Sequence, residues 1–231
     1  MSEKIVDKLG KGHEAFRAIN FKRNEERFKT LAQEGQNPKA LFIGCSDSRV
    51  MPAMITGSKP GDLFIVRNIG NFVAPYQPDA NFHATAAAIE YAISVLELTD
   101  VIVCGHSHCG AIASLYKKIE PTKENIHTLK WLELGEAPKK IAMMSVATED
   151  KETLLRYTEK VSVLFQLENL LTYPAVKKRV ERGTLFLHGW HYDIESGFIE
   201  YYDDEKNEFV PLIPQETETD TGAQKEKGKK A

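Results

Sequence analysis

The chain has 231 residues, a formal net charge of −3, 42% hydrophobic residues and 27% charged residues. This length allows one sizeable hydrophobic core, and the composition is typical of a globular protein without an apolar run long enough to span a membrane. The slightly acidic balance argues against nucleic acid as a partner, because phosphate binding requires a concentrated basic surface.

Residues 1–35 are predicted to form an N-terminal helical arm. The segment starts charged and lacks the continuous apolar core of a secretory signal, which makes the cytoplasm the expected location. Its helical pattern of apolar residues is sparse and consists of Ile5, Val6, Leu9, Phe16, Ile19, Phe28 and Leu31. Such a stripe covers either the sheet of its own chain or a partner, and the pattern is compatible with both.

Residues 36–213 are predicted to form an α/β domain with a mainly parallel central sheet. Short apolar runs predict about four strands, at 40–45, 63–66, 101–104 and 184–187. An alanine-rich segment at 82–98 predicts a helix between the second and third strands, and further helical stripes follow the third strand. This alternation is typical of a parallel sheet flanked by helices.

The end of the chain predicts an edge hairpin followed by a tail. Residues 192–194 and 198–202 alternate between apolar and polar side chains around a Glu-Ser-Gly turn, which indicates two antiparallel strands. Residues 214–231 contain no apolar side chain large enough to anchor them. They are therefore predicted to form a disordered tail.

Two polar motifs each follow a predicted strand. Gly44-Cys45-Ser46-Asp47-Ser48-Arg49 follows the first strand, and Cys104-Gly105-His106-Ser107-His108-Cys109-Gly110 follows the third. Parallel sheets place their chemistry in loops beyond the carboxyl ends of the strands. If these two strands are neighbours, Cys45, His106 and Cys109 converge and offer two thiolates and an imidazole to zinc. Three protein ligands leave a fourth position open, which is typical of a catalytic zinc site.

The cysteines and histidines also allow simpler interpretations. In a chain with seven histidines and three cysteines, a histidine and a cysteine three residues apart can occur by chance. Three cysteines cannot form a disulfide framework, and Cys104 alternates with the interior of its strand, so it is predicted to be a small buried apolar residue. Nucleotide binding is disfavoured because no glycine-rich phosphate loop follows the first strand.

Taken in order, the two motifs resemble those of the β-class carbonic anhydrases. The resemblance includes C-S-D-S-R and G-H-S-x-C-G, extends to residues 60–71 and 88–92 and, more loosely, to 188–193, and so spans about residues 36–200. It implies the family's fold, one zinc ion per chain, and reversible hydration of carbon dioxide to bicarbonate by attack of a zinc-bound hydroxide. In this family the N-terminal helices wrap a neighbouring subunit, which implies a homodimer or homotetramer.

Asp47 and Arg49 are the predicted catalytic residues. Asp47 lies two residues after Cys45, where a carboxylate can accept a hydrogen bond from a metal-bound water, and Arg49 can bind that carboxylate in a bidentate manner. A loop cap and a surface ion pair are commoner uses of such residues. Their position beside Cys45 favours the catalytic interpretation, and the resemblance implies the same pair.

The resemblance also implies a small, mostly apolar pocket for carbon dioxide, of the plant-like type I kind. Four residues fall at the offsets of that pocket, namely Gln36, Phe64, Ile69 and Tyr91. Each also has a simpler interpretation as a core residue, a half-buried helix residue or a turn cap. Four matches together favour the pocket.

Type II members of the family differ in regulation, since bicarbonate stabilises a closed site in which the aspartate binds the metal. This sequence matches their bicarbonate pocket at Arg67 and Tyr192 but has Phe42 where they have tryptophan. Phenylalanine has no indole N–H to donate to the anion. This pattern is mixed, and the complete set of type I pocket residues decides it, so we expect Asp47 to stay paired with Arg49 and bicarbonate not to inhibit cooperatively.

Two other functions stay open in the sequence. Close relatives of this fold hydrolyse carbonyl sulfide or carbon disulfide at the same zinc site, and nothing in the motifs excludes those substrates. A non-catalytic, zinc-stabilised interaction module would have no need of Asp47 and Arg49. Four histidines are candidates to carry protons near neutral pH, but none is assigned as a shuttle: His83, His108, His188 and His191.

Overall fold

A six-stranded sheet forms the centre of the computed structural model, which describes residues 4–79, 81–147 and 149–214. The strands are β1 Ala40–Cys45, β2 Leu63–Asn68, β3 Asp100–His106, β4 Phe186–Tyr192, β5 Ile199–Asp203 and β6 Glu208–Pro211. They lie in the order β2-β1-β3-β4-β5-β6. The first four strands are parallel, and β5 and β6 are added antiparallel at one edge.

Helices surround this sheet. They are α1 Ile5–Ala15, α2 Glu25–Glu34, α3 Pro52–Ile55, α4 Ala84–Glu90, α5 Gly110–Leu115, α6 Ile126–Leu132, α7 Glu136–Ser145, α8 Lys151–Leu171 and α9 Pro174–Glu181. One turn of π-helix extends α4 over Tyr91–Val95, and another, Phe16–Phe21, follows α1. Proline begins α3 and α9, where its missing N–H has no intrahelical partner to lose. No helix in the described ranges combines the length and apolar character needed to cross a membrane.

The predicted α/β class and mixed sheet are confirmed, and β2, β3, β4 and β5 differ in extent from the predicted strands. β3 continues through His106 into the second motif, and β4 runs without a break through the segment 188–192. Of the first hairpin strand predicted at 192–194, only Tyr192 belongs to β4, and residues 193–198 form the turn before β5. Parallel pairing with β3 extends β4 through its polar residues. β6 was not predicted, since it is four residues long and ends in Pro211, as an edge strand can.

β1 is the buried centre of the parallel part, because β2 and β3 flank it and helices cover its apolar side chains. All six of its residues are buried. Leu41 and Ile43 belong to the main core cluster on one face, whereas Phe42 packs with Cys104 on the other. Cys104 is fully buried, as predicted, and burial raises its pKa to about 12. That thiol therefore stays protonated at neutral pH.

Helix α8 lies very close to the sheet because glycines face it. A Cβ atom at Gly105 in β3 would lie 2.7 Å from Val163 Cγ2, and one at Gly189 in β4 would lie 3.0 Å from Val163 Cγ1. Real Cβ atoms do not approach other heavy atoms as closely as the first of these distances. The absence of side chains at both positions thus brings α8 against the strand that leads into the second motif.

The apolar stripe of the N-terminal segment is covered only in part. Ile5, Val6 and Leu9 of α1 are 65%, 72% and 65% exposed, and neither α1 nor α2 contains a buried residue. Helix α2 is attached to its own chain near β2, since Arg27 pairs with Asp62. The boundaries of the arm at 1–35 and of the tail at 214–231 stay predictions, and residues 215–231 lie outside the described residues.

Candidate metal centre

The neighbouring strands β1 and β3 bring the three predicted ligands together. Cys45 ends β1, His106 ends β3, and Cys109 immediately precedes α5. The Sγ atoms of the cysteines and a ring nitrogen of His106 all lie within 4.8 Å of one another. Their side chains are shielded from solvent, with residue exposures of 5%, 1% and 2% for Cys45, His106 and Cys109. The convergence expected from the sequence is therefore present.

The orientation of His106 fits a metal ligand. Its Nδ1 donates a hydrogen bond to the Ser107 carbonyl oxygen at 2.8 Å, which leaves the lone pair on Nε2. Nε2 is buried and has no hydrogen-bond partner. An unsatisfied buried nitrogen is unfavourable unless another group binds it. Two thiols beside a free imidazole nitrogen form a donor set that suits zinc.

The two thiols differ in acidity because they lie side by side. Interaction with Cys109 lowers the pKa of the Cys45 thiol, although burial acts in the opposite direction. The same interaction, together with burial, raises the pKa of Cys109. The close approach of the two sulfurs thus favours one thiolate that accepts a hydrogen bond from the other thiol. Binding of a metal cation by both sulfurs would release the remaining proton.

Asp47 and Arg49 form an ion pair at the rim of this cluster. The Arg49 Nε donates to Asp47 Oδ1 at 2.9 Å and its Nη2 donates to Oδ2 at 2.7 Å, which is bidentate geometry. Arg49 also donates to the carbonyl oxygen of His108 at 3.0 Å. These hydrogen bonds hold the pKa of Asp47 well below its usual range. The carboxylate is thus ionised throughout the neutral range.

Arg67 supports the loop that carries Cys45 and Asp47. Its Nε donates to the Cys45 carbonyl oxygen at 3.0 Å, and its Nη2 donates to the Asp47 carbonyl oxygen at 2.6 Å. The sequence indicated Arg67 only as one part of a bicarbonate pocket, so this backbone role was missed. The expectation that bicarbonate does not inhibit cooperatively stays a prediction.

Comparison with known proteins identifies the family of this chain. A family model described as carbonic anhydrase matches residues 40–199. A carbonic anhydrase of Synechocystis is 41% identical over 205 residues, which cover 89% of this chain and 74% of that protein. The solved structure of the β-carbonic anhydrase CcaA matches with a TM-score of 0.83 and 41% identity, covering 91% of this chain and 92% of the other. This chain belongs to the β-carbonic anhydrase family.

The resemblance seen in the motifs is therefore confirmed. Some of the solved structures that resemble this chain are oligomers. One of two tetrameric β-carbonic anhydrases from Sordaria macrospora matches this carbonic anhydrase with a TM-score of 0.74 and 30% identity, covering 86% of this chain and 97% of the other. Family membership makes the chain an enzyme that hydrates carbon dioxide.

Two of the four predicted substrate residues of this carbonic anhydrase lie far from its metal centre. Phe64 is paired with Leu41, whereas Cys45 is paired with Asn68, four residues further along both strands. At about 3.3 Å per residue, Phe64 lies about 13 Å along the sheet from Cys45. Tyr91 stacks on Phe64 with ring centroids 5.9 Å apart, so it belongs to the same distant region.

The other two substrate residues lie at opposite ends of the strands. Gln36 is exposed and precedes β1, so it lies beyond the amino end of that strand, away from Cys45. Ile69 directly follows β2, and its carbonyl oxygen accepts a hydrogen bond from Trp131 Nε1 at 2.7 Å. Within one chain, Ile69 alone among the four lies at the strand end beside Cys45.

Sequence reasoning also missed Glu159 in α8. Its Oε1 accepts a hydrogen bond from the backbone N–H of Cys109 at 3.0 Å. A signal was present in the sequence, because Glu159 lies on the same helical stripe as Val163 and Leu170, at intervals of four and eleven residues. A charged side chain on the core-facing side of a helix, which here also carries Ser162 and Gln166, indicates a specific buried partner.

Proposed function

We propose that this carbonic anhydrase catalyses the reversible hydration of carbon dioxide with one zinc ion per chain, bound by Cys45, His106 and Cys109. The main support is the preformed, buried donor set, in which His106 Nε2 has no hydrogen-bond partner. Zinc, when bound there, supplies Lewis-acid activation of water at neutral pH. The free cysteines of the chain also favour the cytoplasm, where thiols stay reduced.

Asp47 is the proposed hydrogen-bond acceptor for the reacting water. Its carboxylate can accept a hydrogen bond and so orient the nucleophilic oxygen toward carbon dioxide. Arg49 donates to both carboxylate oxygens, which keeps Asp47 ionised and fixes its rotamer. A non-catalytic zinc module would have no use for this pair beside the donor set. Family membership also favours the enzyme.

The proposed carbon dioxide pocket consists of Gln36, Phe64, Ile69 and Tyr91. Three of these residues lie far from the metal centre of their own chain, and a neighbouring subunit would bring them near. We therefore propose a homodimer or homotetramer in which the pocket forms across the interface. The tetrameric relatives from Sordaria macrospora and the exposed apolar residues of α1 support this assembly.

Carbon dioxide hydration by the zinc-loaded protein is the direct test of the function. We expect about one zinc ion per chain and stopped-flow hydration far above the uncatalysed rate, because the donor set holds one metal. The same sample should be assayed with carbonyl sulfide and carbon disulfide. Turnover of either sulfur compound without hydration of carbon dioxide would contradict the proposal and favour the hydrolase alternative.

Disrupting the apolar face of α1 tests the assembly. The double variant Val6→Asp, Leu9→Asp is expected to dissociate the oligomer and to lose most hydration activity, since two highly exposed apolar side chains become charged. The matched control is Lys4→Ala, Lys8→Ala, which changes the net charge equally at the N-cap and in the first turn of the same helix. Light scattering combined with a hydration assay gives the result. A monomeric double variant with full activity would refute a pocket shared between subunits.

A further inference from the structure

A buried carboxylate connects α8 to one proposed metal ligand. The side chain of Glu159 is 1% exposed. Its Oε1 accepts hydrogen bonds from the Cys109 backbone N–H at 3.0 Å and from Arg156 Nη2 at 2.9 Å. Its Oε2 lies 3.3 Å from Nε2 of His191, which is itself 3% exposed. One side chain thus joins α8, β4 and the residue before α5.

The carboxylate of Glu159 is buried on the core-facing side of α8. A buried carboxylate is unfavourable unless it is paired and hydrogen-bonded, and removing it leaves its partners without that bond. Glu159 shares its helical stripe with Val163 and Leu170, both fully buried in the main core cluster. The polar partners of Glu159, and not its apolar neighbours, therefore account for a carboxylate at this position.

The hydrogen bond to Cys109 acts on the metal centre through the backbone. Cys109 precedes α5, so its N–H has no partner within that helix and needs an acceptor from elsewhere. Glu159 supplies that acceptor from a helix that cannot shift toward or along the sheet easily, because Val163 is in close contact with Gly105. The backbone of Cys109 determines where its Sγ atom points.

We propose that Glu159 is a positioning residue that holds Cys109 in the geometry required to bind zinc. This inference rests on the proposed function, in which Cys109 is a ligand. Residues that support metal ligands typically change metal affinity by about 10- to 100-fold when they are replaced. Glu159 acts on the main chain of the ligand, so its effect depends on a hydrogen-bond acceptor at that point and not on charge.

Three variants distinguish the effect of the hydrogen-bond acceptor at position 159 from the effect of its negative charge. Glu159→Leu removes the acceptor, Glu159→Gln keeps an amide oxygen that can accept from Cys109, and Glu168→Leu is the control at an exposed position of the same helix. Zinc affinity is measured by chelator competition on the full chain. We expect about 10- to 100-fold weaker binding for Glu159→Leu, and values close to those of the parent chain for the other two variants.

The visible spectrum of the cobalt-substituted protein provides a second readout, because it reports the ligand geometry directly. Glu159→Leu should shift these bands, whereas Glu159→Gln should not. If Glu159→Leu does not fold, Glu159→Asp replaces it. That side chain keeps its charge near Arg156 but is one methylene shorter, so binding should weaken and the bands should shift.

Two results would overturn the inference. One is unchanged zinc affinity and an unchanged cobalt spectrum in a folded Glu159→Leu or Glu159→Asp variant. The other is an equal loss for Glu159→Gln and Glu159→Leu, which would assign the effect to charge. Failure of the parent chain to bind zinc would instead refute the proposed function, so the two failures are distinguishable.

Discussion

Replacing Cys45 by serine is expected to abolish zinc binding and carbon dioxide hydration together. Cys45 supplies one of the two sulfur donors of the cluster, and interaction with Cys109 lowers the pKa of its thiol. A serine hydroxyl does not ionise in this range and is a poor zinc ligand, so only His106 and Cys109 would remain as donors. A zinc count on the purified variant and stopped-flow hydration measure the two losses.

Cys104→Ser is the matched control for this experiment, because Cys104 is a buried thiol that does not belong to the donor cluster. This variant should bind zinc at the level of the parent chain, although the buried hydroxyl can lower the free energy of unfolding. Normal zinc content and normal turnover in Cys45→Ser would show that the metal, if required, binds elsewhere.

Replacing Asp47 by asparagine is expected to leave zinc bound and to lower hydration by about 10²- to 10⁴-fold, the usual contribution of a positioned acid–base group. Asparagine keeps the size of the side chain but loses the charge and one acceptor oxygen. Zinc content and turnover are measured on the same sample, with Asp204→Asn as the control at an exposed aspartate. Near-normal hydration by Asp47→Asn would make the ion pair purely structural.

The variant Arg49→Ala removes the other member of the Asp47–Arg49 ion pair, and we expect it to change the pH dependence of hydration. Arg49 lowers the pKa of Asp47, so its removal raises that pKa toward the ordinary value. The carboxylate is then protonated at a higher pH than in the parent chain. Hydration by Arg49→Ala should therefore fall below that of the parent, and the deficit should grow as the pH decreases toward the ordinary aspartate range. An identical pH profile in both proteins would contradict this account.

The metal centre was predictable because each of its three donors follows a recognisable strand. The apolar run before Cys45 and the run before His106 both predict strands, and parallel strands place their carboxyl ends at one edge of a sheet. Their adjacency was an assumption, since β2 lies between them in the sequence, and the order β2-β1-β3 makes it correct. The motif spacing then indicated which three side chains converge there.

Contacts between distant segments were not predictable in the same way. Glu159 lies 50 residues after Cys109, in a helix whose apolar stripe reveals packing but not the partner of one polar side chain. Arg67 donates hydrogen bonds to two backbone carbonyl oxygens. Because every residue has such a carbonyl group, the sequence does not indicate which ones Arg67 contacts. Strand β6 was not predicted because edge strands can be short and weakly apolar. Polar contacts between residues far apart in the sequence thus account for most of the structural features that could not be predicted.

The contact between Glu159 and Cys109 also has a consequence for the growing chain on the ribosome. All three proposed ligands are synthesised before the helix that anchors one of them, and the separation between Glu159 and Cys109 is 50 residues. At about 5–20 residues per second, Cys109 precedes its anchor by about 2.5 to 10 s. During this interval the nascent chain contains both thiols and the imidazole but not their support. If Glu159 positions Cys109 for zinc as proposed, tight metal capture would be a late event of biosynthesis, after α8 has packed against the glycines of the sheet.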